Sequence, residues 1–168
     1  MAPRKFSRPH KQESEFEDKV LELRRVTRVV AGGKRFRFRA TVVVGNGKGK
    51  IGIGVGKGLD VQQAIMKGKA RANKAMVTIA LKDKRTIPHE TQAKYSAAQV
   101  LIKPAPEGHG LRAGSAIRAI LTLAGIKDAS AKAVGRTTNK LTNAWATLEA
   151  LKAMKTAKPK VAAPVDAS

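Results

Sequence analysis

The stretch Lys34-Arg35-Phe36-Arg37-Phe38-Arg39-Ala40-Thr41-Val42-Val43-Val44 runs through Gly45-Asn46-Gly47-Lys48-Gly49 into Lys50-Ile51-Gly52-Ile53-Gly54-Val55-Gly56-Lys57. Its first part alternates. Arg35, Arg37 and Arg39 point one way; Phe36, Phe38, Ala40, Val42 and Val44 point the other. A period of two belongs to a half-buried strand. Asn46-Gly47 fits a tight turn, because both residues tolerate positive φ. Ile51, Ile53 and Val55 resume the alternation on a second strand, with Gly52, Gly54 and Gly56 on its other side. The pattern predicts a hairpin with one apolar face. Its opposite face is basic on one strand and bare backbone on the next, open to close approach by a polyanion.

Working outward, the charge balance supports that partner. The chain has 168 residues and a formal net charge of +22, from 34 Lys and Arg against 12 Asp and Glu. Such an excess points to nucleic acid first and an anionic membrane second. From Leu23 to Leu59 there are ten cationic residues and no carboxylate. They are Arg24, Arg25, Arg28, Lys34, Arg35, Arg37, Arg39, Lys48, Lys50 and Lys57. A purely structural surface intersperses both signs. The absence of cysteine excludes a disulfide framework and a thiolate metal site. No apolar run approaches the roughly 20 residues that span a bilayer. The first twenty residues are polar and mixed in charge, unlike a secretory signal, which favours an intracellular location.

The remaining segments read as follows. Residues 1–17 form a flexible arm, and the acidic cluster Glu13, Glu15, Glu17, Asp18 and Glu22 reads as a solvated helical turn or tail. Val20 to Val30 reads as a strand whose apolar parity shifts midway, the mark of a bulge. Gly32-Gly33 turns into the hairpin. Asp60 caps a helix with Gln63 at the capping-box position. Val61, Ala64, Ile65, Gly68, Ala72, Ala75 and Met76 form its apolar stripe; Lys67, Arg71 and Lys74 form a basic one, placed for phosphate contact beside the hairpin. Residues 18–85 therefore make a three-stranded sheet under one helix. Lys82 to Lys94 is a polar connector. In residues 86–155 a strand at Ala98 to Lys103 leads to the flexible loop Glu107 to Gly114. A helix capped by Ser115 follows, then a strand within Lys127 to Val134 and a last helix with Leu141, Ala144, Trp145, Leu148, Leu151 and Met154 inward. Residues 156–168 are a tail without periodicity. The class is α+β, with a sheet-and-helix half followed by a strand-helix-strand-helix half.

Motifs for catalysis are weak. Gly47-x-Gly49-x-x-Gly52 copies a dinucleotide fingerprint but lies between two strands instead of leading into a helix. Gly108 to Ser115 is the better phosphate loop, glycine-rich and ending at a helix N-terminus. It reads as a structural turn, as a contact for RNA phosphate or partner protein, or as the nucleotide cradle of an enzyme. His10, His89 and His109 lie in separate polar segments without metal-ligand spacing. Phe36 and Phe38 share a face with Ala40 and Val42 and are expected in the core; on an open face they would stack bases. No catalytic set, metal site, cofactor or small-molecule substrate is expected.

Several runs resemble one family. They are Gly32-Gly33-Lys34-Arg35-Phe36-Arg37-Phe38, Val43-Val44-Gly45-Asn46-Gly47, and Gly49-x-x-Gly52-x-Gly54-x-Gly56-Lys57 with Ala64-Ile65. In the second half Pro104-Ala105-x-Glu107-Gly108-x-Gly110, Ala113-Gly114, Arg118, Ala124-Gly125 and Ala146-Thr147-x-x-Ala150-Leu151 agree. Together they resemble the fifth protein of the small ribosomal subunit, bacterial type, over about residues 18 to 155. The resemblance implies a double-stranded-RNA-binding-like first half and a second half related to some kinases but not catalytic. It implies binding to small-subunit rRNA where body meets head, beside ribosomal proteins four and eight and near the messenger-RNA entrance. A part in decoding accuracy and subunit assembly, within the cytoplasmic ribosome, comes with it. The RNA-binding residues are then Arg24, Arg25, Arg28, Lys34, Arg35, Arg37, Arg39, Asn46, Lys48, Lys50, Gly52, Gly54, Gly56, Lys57, Lys67 and Arg71. The turn at Thr27 to Lys34 would reach toward the subunit neck, where spectinomycin binds. The contact with a partner protein would use Gly108, His109, Gly110, Arg112 and Arg118. His109 stands where the family usually has Thr. Arg136-Thr137-Thr138-Asn139-Lys140 replaces a Ser-x-Asn-Pro turn and is one residue longer. A free-standing double-stranded-RNA binder and a nucleotide-dependent enzyme are the rival readings.

Overall fold

The computed structural model describes residues 16–154 except 84. The expected arm, apart from Phe16 and Glu17, and the expected tail lie outside the described residues. So does Lys155.

The first half contains β1 (Glu17–Val30), β2 (Gly33–Gly45), β3 (Lys50–Gly58), α1 (Val61–Lys74) and β4 (Val77–Thr78). The second contains β5 (Thr91–Tyr95), β6 (Ala98–Pro104), β7 (Leu111–Arg112), α2 (Ser115–Ala124), β8 (Ala129–Ala133) and α3 (Lys140–Ala153). The class is α+β. The first sheet has the order β1-β2-β3-β4 and the second β5-β6-β8-β7. β4 adds two residues to the edge of β3, so the first sheet has four strands, not three. Within the expected connector, β5 pairs with β6. Within the expected loop Glu107 to Gly114, β7 runs parallel to β8.

β1 starts at Glu17, so the acidic cluster is strand where it is described. Asp18 pairs with Lys69 of α1, and Glu22 with Arg24. The parity shift in β1 is a bulge between Val20 and Glu22. Helix starts also differ from the sequence reading. Asp60 is the N-cap of α1, but its carboxylate accepts from the Gln63 side chain instead of a backbone amide. At α2 the N-cap position is Gly114; Ser115 is the first helical residue and caps nothing with its side chain. Asn139 caps α3 by accepting from the Leu141 N–H at 3.1 Å.

The register between β2 and β3 sets the two faces of the sheet. Val42 lies opposite Gly54, Val44 opposite Gly52 and Ala40 opposite Gly56. Directly paired residues share a face. The glycines therefore lie on the Ala40–Val44 face, which α1 covers with Ala64 and Ala72. A Cβ at Gly52, Gly54 or Gly56 would overlap the carbonyl oxygen of Ala72, Gly68 or Ala64, respectively. These glycines let a helix, not a polyanion, touch the sheet. This corrects the expected bare face. Val43, Ile51 and Ile53 lie on the other face and join the core of the second half, beside Ile117, Ile120 and Leu121.

The halves interlock through the β2–β3 loop. Asn46 Oδ1 accepts from the Lys48 and Lys50 amides at 2.9 and 3.0 Å, and Gly47 and Gly49 take φ of 64° and 90°. This is a wider loop than the tight Asn46-Gly47 turn expected. A helix leaves its last four carbonyls without partners inside the helix. In α2, Leu121 O accepts from Ile126 N and Thr122 O from Gly125 N, both at 3.0 Å. Leu123 O and Ala124 O accept instead from Gly47 N and Gly49 N, at 3.0 and 2.9 Å.

Candidate nucleic-acid interface

The β1–β2 ladder continues past the edge of α1, and its far end is open. Arg24 lies opposite Arg39, and Arg28 opposite Arg35. Lys57 lies opposite Arg39 on the other side of β2. Arg24, Arg39 and Lys57 thus form one rung across three strands, and Arg28 and Arg35 another. Arg37, opposite Val26, sits between them on the same face. Residues two apart on one strand are roughly 6.6 Å apart along it. Like charges directly opposite one another destabilise an isolated sheet. Among the described residues Arg24 alone of these six has an ion pair, with Glu22 at 2.7 Å. Five cations remain without a carboxylate, which suits a dense anionic partner.

Arg25 and Lys34 belong to the other face of the arm, opposite Phe38 and Val29. The Arg25 guanidinium lies 4.7 Å over the Phe36 ring. Phe38 is half-buried against the α1 core, as expected, but Phe36 is 47% exposed. Lys67 and Arg71 are exposed on α1, across the sheet from the rungs. Arg71 Nη1 donates to Val55 O at 2.6 Å, along the edge of β3. Lys48 and Lys50 sit at the opposite end of β3 from Lys57. The sequence-derived set therefore divides into a dense far-end group, two residues on α1, and a near-end pair. Asn46 and the three β3 glycines have structural work inside the fold.

Of the near-end pair, Lys48 reaches the second half. Lys48 borders a cavity of about 960 Å³ together with Arg118, Lys127, Leu111 and Ile79. Arg118 also borders a hollow beside Lys19 and Lys140. The Gly108 to Gly110 loop leads toward Arg118, and its glycines take φ of 82° and 74° with open space above them. His109 and Arg112 are exposed. Beneath the loop lies Asp128, which is 2% exposed. Its Oδ1 accepts from Gly110 N at 2.9 Å and its Oδ2 from Arg85 Nε. Thr86 Oγ1 donates to its backbone carbonyl at 2.7 Å. The Arg85 hydrogen bond first, and the Gly110 amide next, hold the Asp128 carboxyl below the ordinary Asp range. The same contact raises Arg85. Sequence reasoning missed both residues, because they are distant in the chain from the loop they support. Their available signal was one acidic residue at the start of a strand in a strongly basic chain.

These features define a basic α+β RNA-binding protein in two interlocked halves. Residues 16–80 match the family description "Ribosomal protein S5, N-terminal domain", and residues 93–164 match "Ribosomal protein S5, C-terminal domain". The chain is 46% identical over 145 residues to small ribosomal subunit protein uS5 of Synechococcus elongatus, covering 86% of this chain and 80% of the relative. It is 44% identical over 153 residues to uS5 of Thermosynechococcus vestitus, covering 91% and 87%. Over 153 residues it is also 44% identical to uS5 of Mesomycoplasma hyopneumoniae, covering 91% and 70%. The chain belongs to the ribosomal protein S5 family. That family is structural and non-enzymatic, so the enzyme reading of the Gly108 to Ser115 loop falls.

Proposed function

We propose that this protein is a structural constituent of the small ribosomal subunit that holds rRNA at the junction of body and head. The observation that carries the RNA contact is the unpaired cation group of the open arm. Arg28, Arg35, Arg37, Arg39 and Lys57 neutralise phosphates, and guanidiniums can pair two phosphate oxygens at once. Residues 18–85 serve the RNA, and residues 86–155 serve neighbouring proteins. Gly108, His109, Gly110, Arg112 and Arg118 face ribosomal protein four, in a setting that also adjoins ribosomal protein eight and the messenger-RNA entrance. The body–head location, the two neighbours and a contribution to decoding accuracy and assembly rest on the family resemblance. Asp128 and Arg85 hold the protein-facing loop in shape.

The test is binding of the full chain to small-subunit rRNA and to an unrelated duplex RNA of equal length, across a salt series. Preference for rRNA that survives physiological salt is expected. Equal binding to both, erased by salt, would mean that charge acts alone. Arg37→Glu should weaken rRNA binding more than Lys94→Glu, on the exposed strand β5. Equal losses would remove the arm as the binding face.

A further inference from the structure

A second basic site lies where the two halves meet, at the other end of β3 from the open arm. Lys48 of the β2–β3 loop borders the cavity of about 960 Å³ with Arg118 and Lys127 of the second half. Leu81, Leu111 and Ile126 line the same cavity. Its volume is that of sites which enclose an apolar group and orient it with a few polar ones. Among the described residues none of the three cations has an ion pair, and no carboxylate borders the cavity. The carboxylate beside Lys127 in sequence, Asp128, is buried and taken up by Arg85 and the Gly110 N–H. The seam therefore offers an apolar lining together with uncompensated positive charge.

Chemistry separates the occupants. A fully paired RNA helix presents phosphates and 2′-hydroxyls, which would satisfy the cations and leave the apolar lining against a charged partner. An unpaired base stacks on aromatic rings, and none borders this cavity. A second copy of the chain, at +22, would bring more positive charge. The chain's own ends, residues 1–15 and 155–168, each hold more cations than carboxylates. We propose that the seam cavity receives a segment of a neighbouring protein that carries an apolar side chain flanked by carboxylates. The apolar side chain fills the pocket as an anchor, and the carboxylates meet Lys48, Arg118 and Lys127, which fixes its orientation. The inference rests on the protein's being a constituent of the small ribosomal subunit and deepens that reading. Lys48 passes from the RNA-binding set to the protein-facing one, so that one partner segment grips both halves.

The experiment uses the full chain assembled into small ribosomal subunits. The chain has no cysteine, so Lys48→Cys accepts a single aryl-azide reporter. After illumination, mass spectrometry identifies what the reporter has reached. The expected product is a protein segment with Asp or Glu beside Leu, Ile, Val, Met or Phe. In subunits carrying the unaltered chain, a carbodiimide, which joins an amine to a carboxylate in contact, should link Lys127 to the same segment. Thr122 is exposed and lines the cavity. Thr122→Trp should fill the anchor's space and lower both yields several-fold, with an unchanged urea midpoint showing that the fold is intact. A reporter at Lys48→Cys that reaches rRNA would overturn the proposal. So would a protein segment without carboxylates, no product from either chemistry, or yields that Thr122→Trp does not move. Failure of the underlying ribosomal reading looks different. The same reporter at Arg37→Cys, on the open arm, should reach rRNA, and its failure to do so would remove that reading instead.

Discussion

The sheet β1–β2–β3 has a covered end and an open end, built from one alternating sequence. At the covered end Ala40 to Val44 meet α1 on one face, and Val43, Ile51 and Ile53 meet α2 on the other. Both faces are dry, and every residue from Ala40 to Val44 is buried, Thr41 included. At the open end the same two strands carry Arg24, Arg28, Arg35, Arg37 and Arg39 on one face and Phe36 and Arg25 on the other. Neither helix reaches that far. Alternation alone does not say whether a strand is core or arm; the reach of the covering elements decides. The contrast also separates stability from function. Loss of packing should act at the covered end, and loss of charge at the open one.

The sharpest way to break this contrast is Gly54→Val. The new side chain meets the α1 backbone, which cannot move aside as a flexible side chain would. The cost should fall at the upper end of about 1–3 kcal/mol, seen as a lower urea midpoint with an unchanged slope. An unchanged midpoint would mean that α1 does not need the glycine. The covering half depends in turn on Asp128. A carboxyl held below its unfolded value contributes fully above that unfolded value and loses its contribution as pH falls through the folded one. Urea midpoints should therefore drop in acid, and Asp128→Asn should flatten that limb. The variant should also speed hydrogen exchange at the Gly110 amide, which the native carboxylate holds. Unaltered exchange would separate the loop from Asp128.

At the open end the expected changes in stability are smaller. Arg37→Glu should leave the unfolding free energy within about 0.5 kcal/mol. It should make the slope of log affinity against log salt shallower by roughly 1 to 2. A large drop in stability would show that the arm is packed after all. A small loss of stability, above that of Arg37→Glu, belongs to Arg25→Ala, which removes the contact over Phe36. An exposed cation–π pair is worth about 0.5–1 kcal/mol, read from the same urea titrations.

Much of this was legible in the sequence. The strands of the hairpin, the bulge in β1, the helices and the one-signed charge of the arm follow from period, composition and glycine placement. The assignment of faces on β3 does not, and the reason is countable. A two-residue turn at Asn46-Gly47 would pair Gly45 with Lys48 and carry Val42 opposite Ile51. The actual loop pairs Gly45 with Ile51 and Val42 with Gly54. The two registers differ by an odd number of residues, which moves every β3 side chain to the other face. Asn46 decides between them by accepting from Lys48 and Lys50, a hydrogen-bond choice that periodicity does not show. Phe36 misled for a related reason. It continues the apolar parity of Phe38 and Ala40, but α1 ends before reaching it. Asp128 and Arg85 were invisible because their partner, Gly110, approaches through the tertiary fold.

The shared capping of α2 has a consequence for how the chain is made. The carbonyls of Leu123 and Ala124 wait for amides that belong to Gly47 and Gly49. Synthesis runs from the N-terminus, so the β2–β3 loop emerges long before its acceptors exist. Until α2 appears, those two amides face water and Val43, Ile51 and Ile53 lack a lid. A nascent chain halted near residue 80 would hold β1 to β4 with α1 on one face and an apolar face uncovered on the other. Completion of α2 supplies both acceptors and covers that apolar face, so the first half depends on a segment made some seventy residues later.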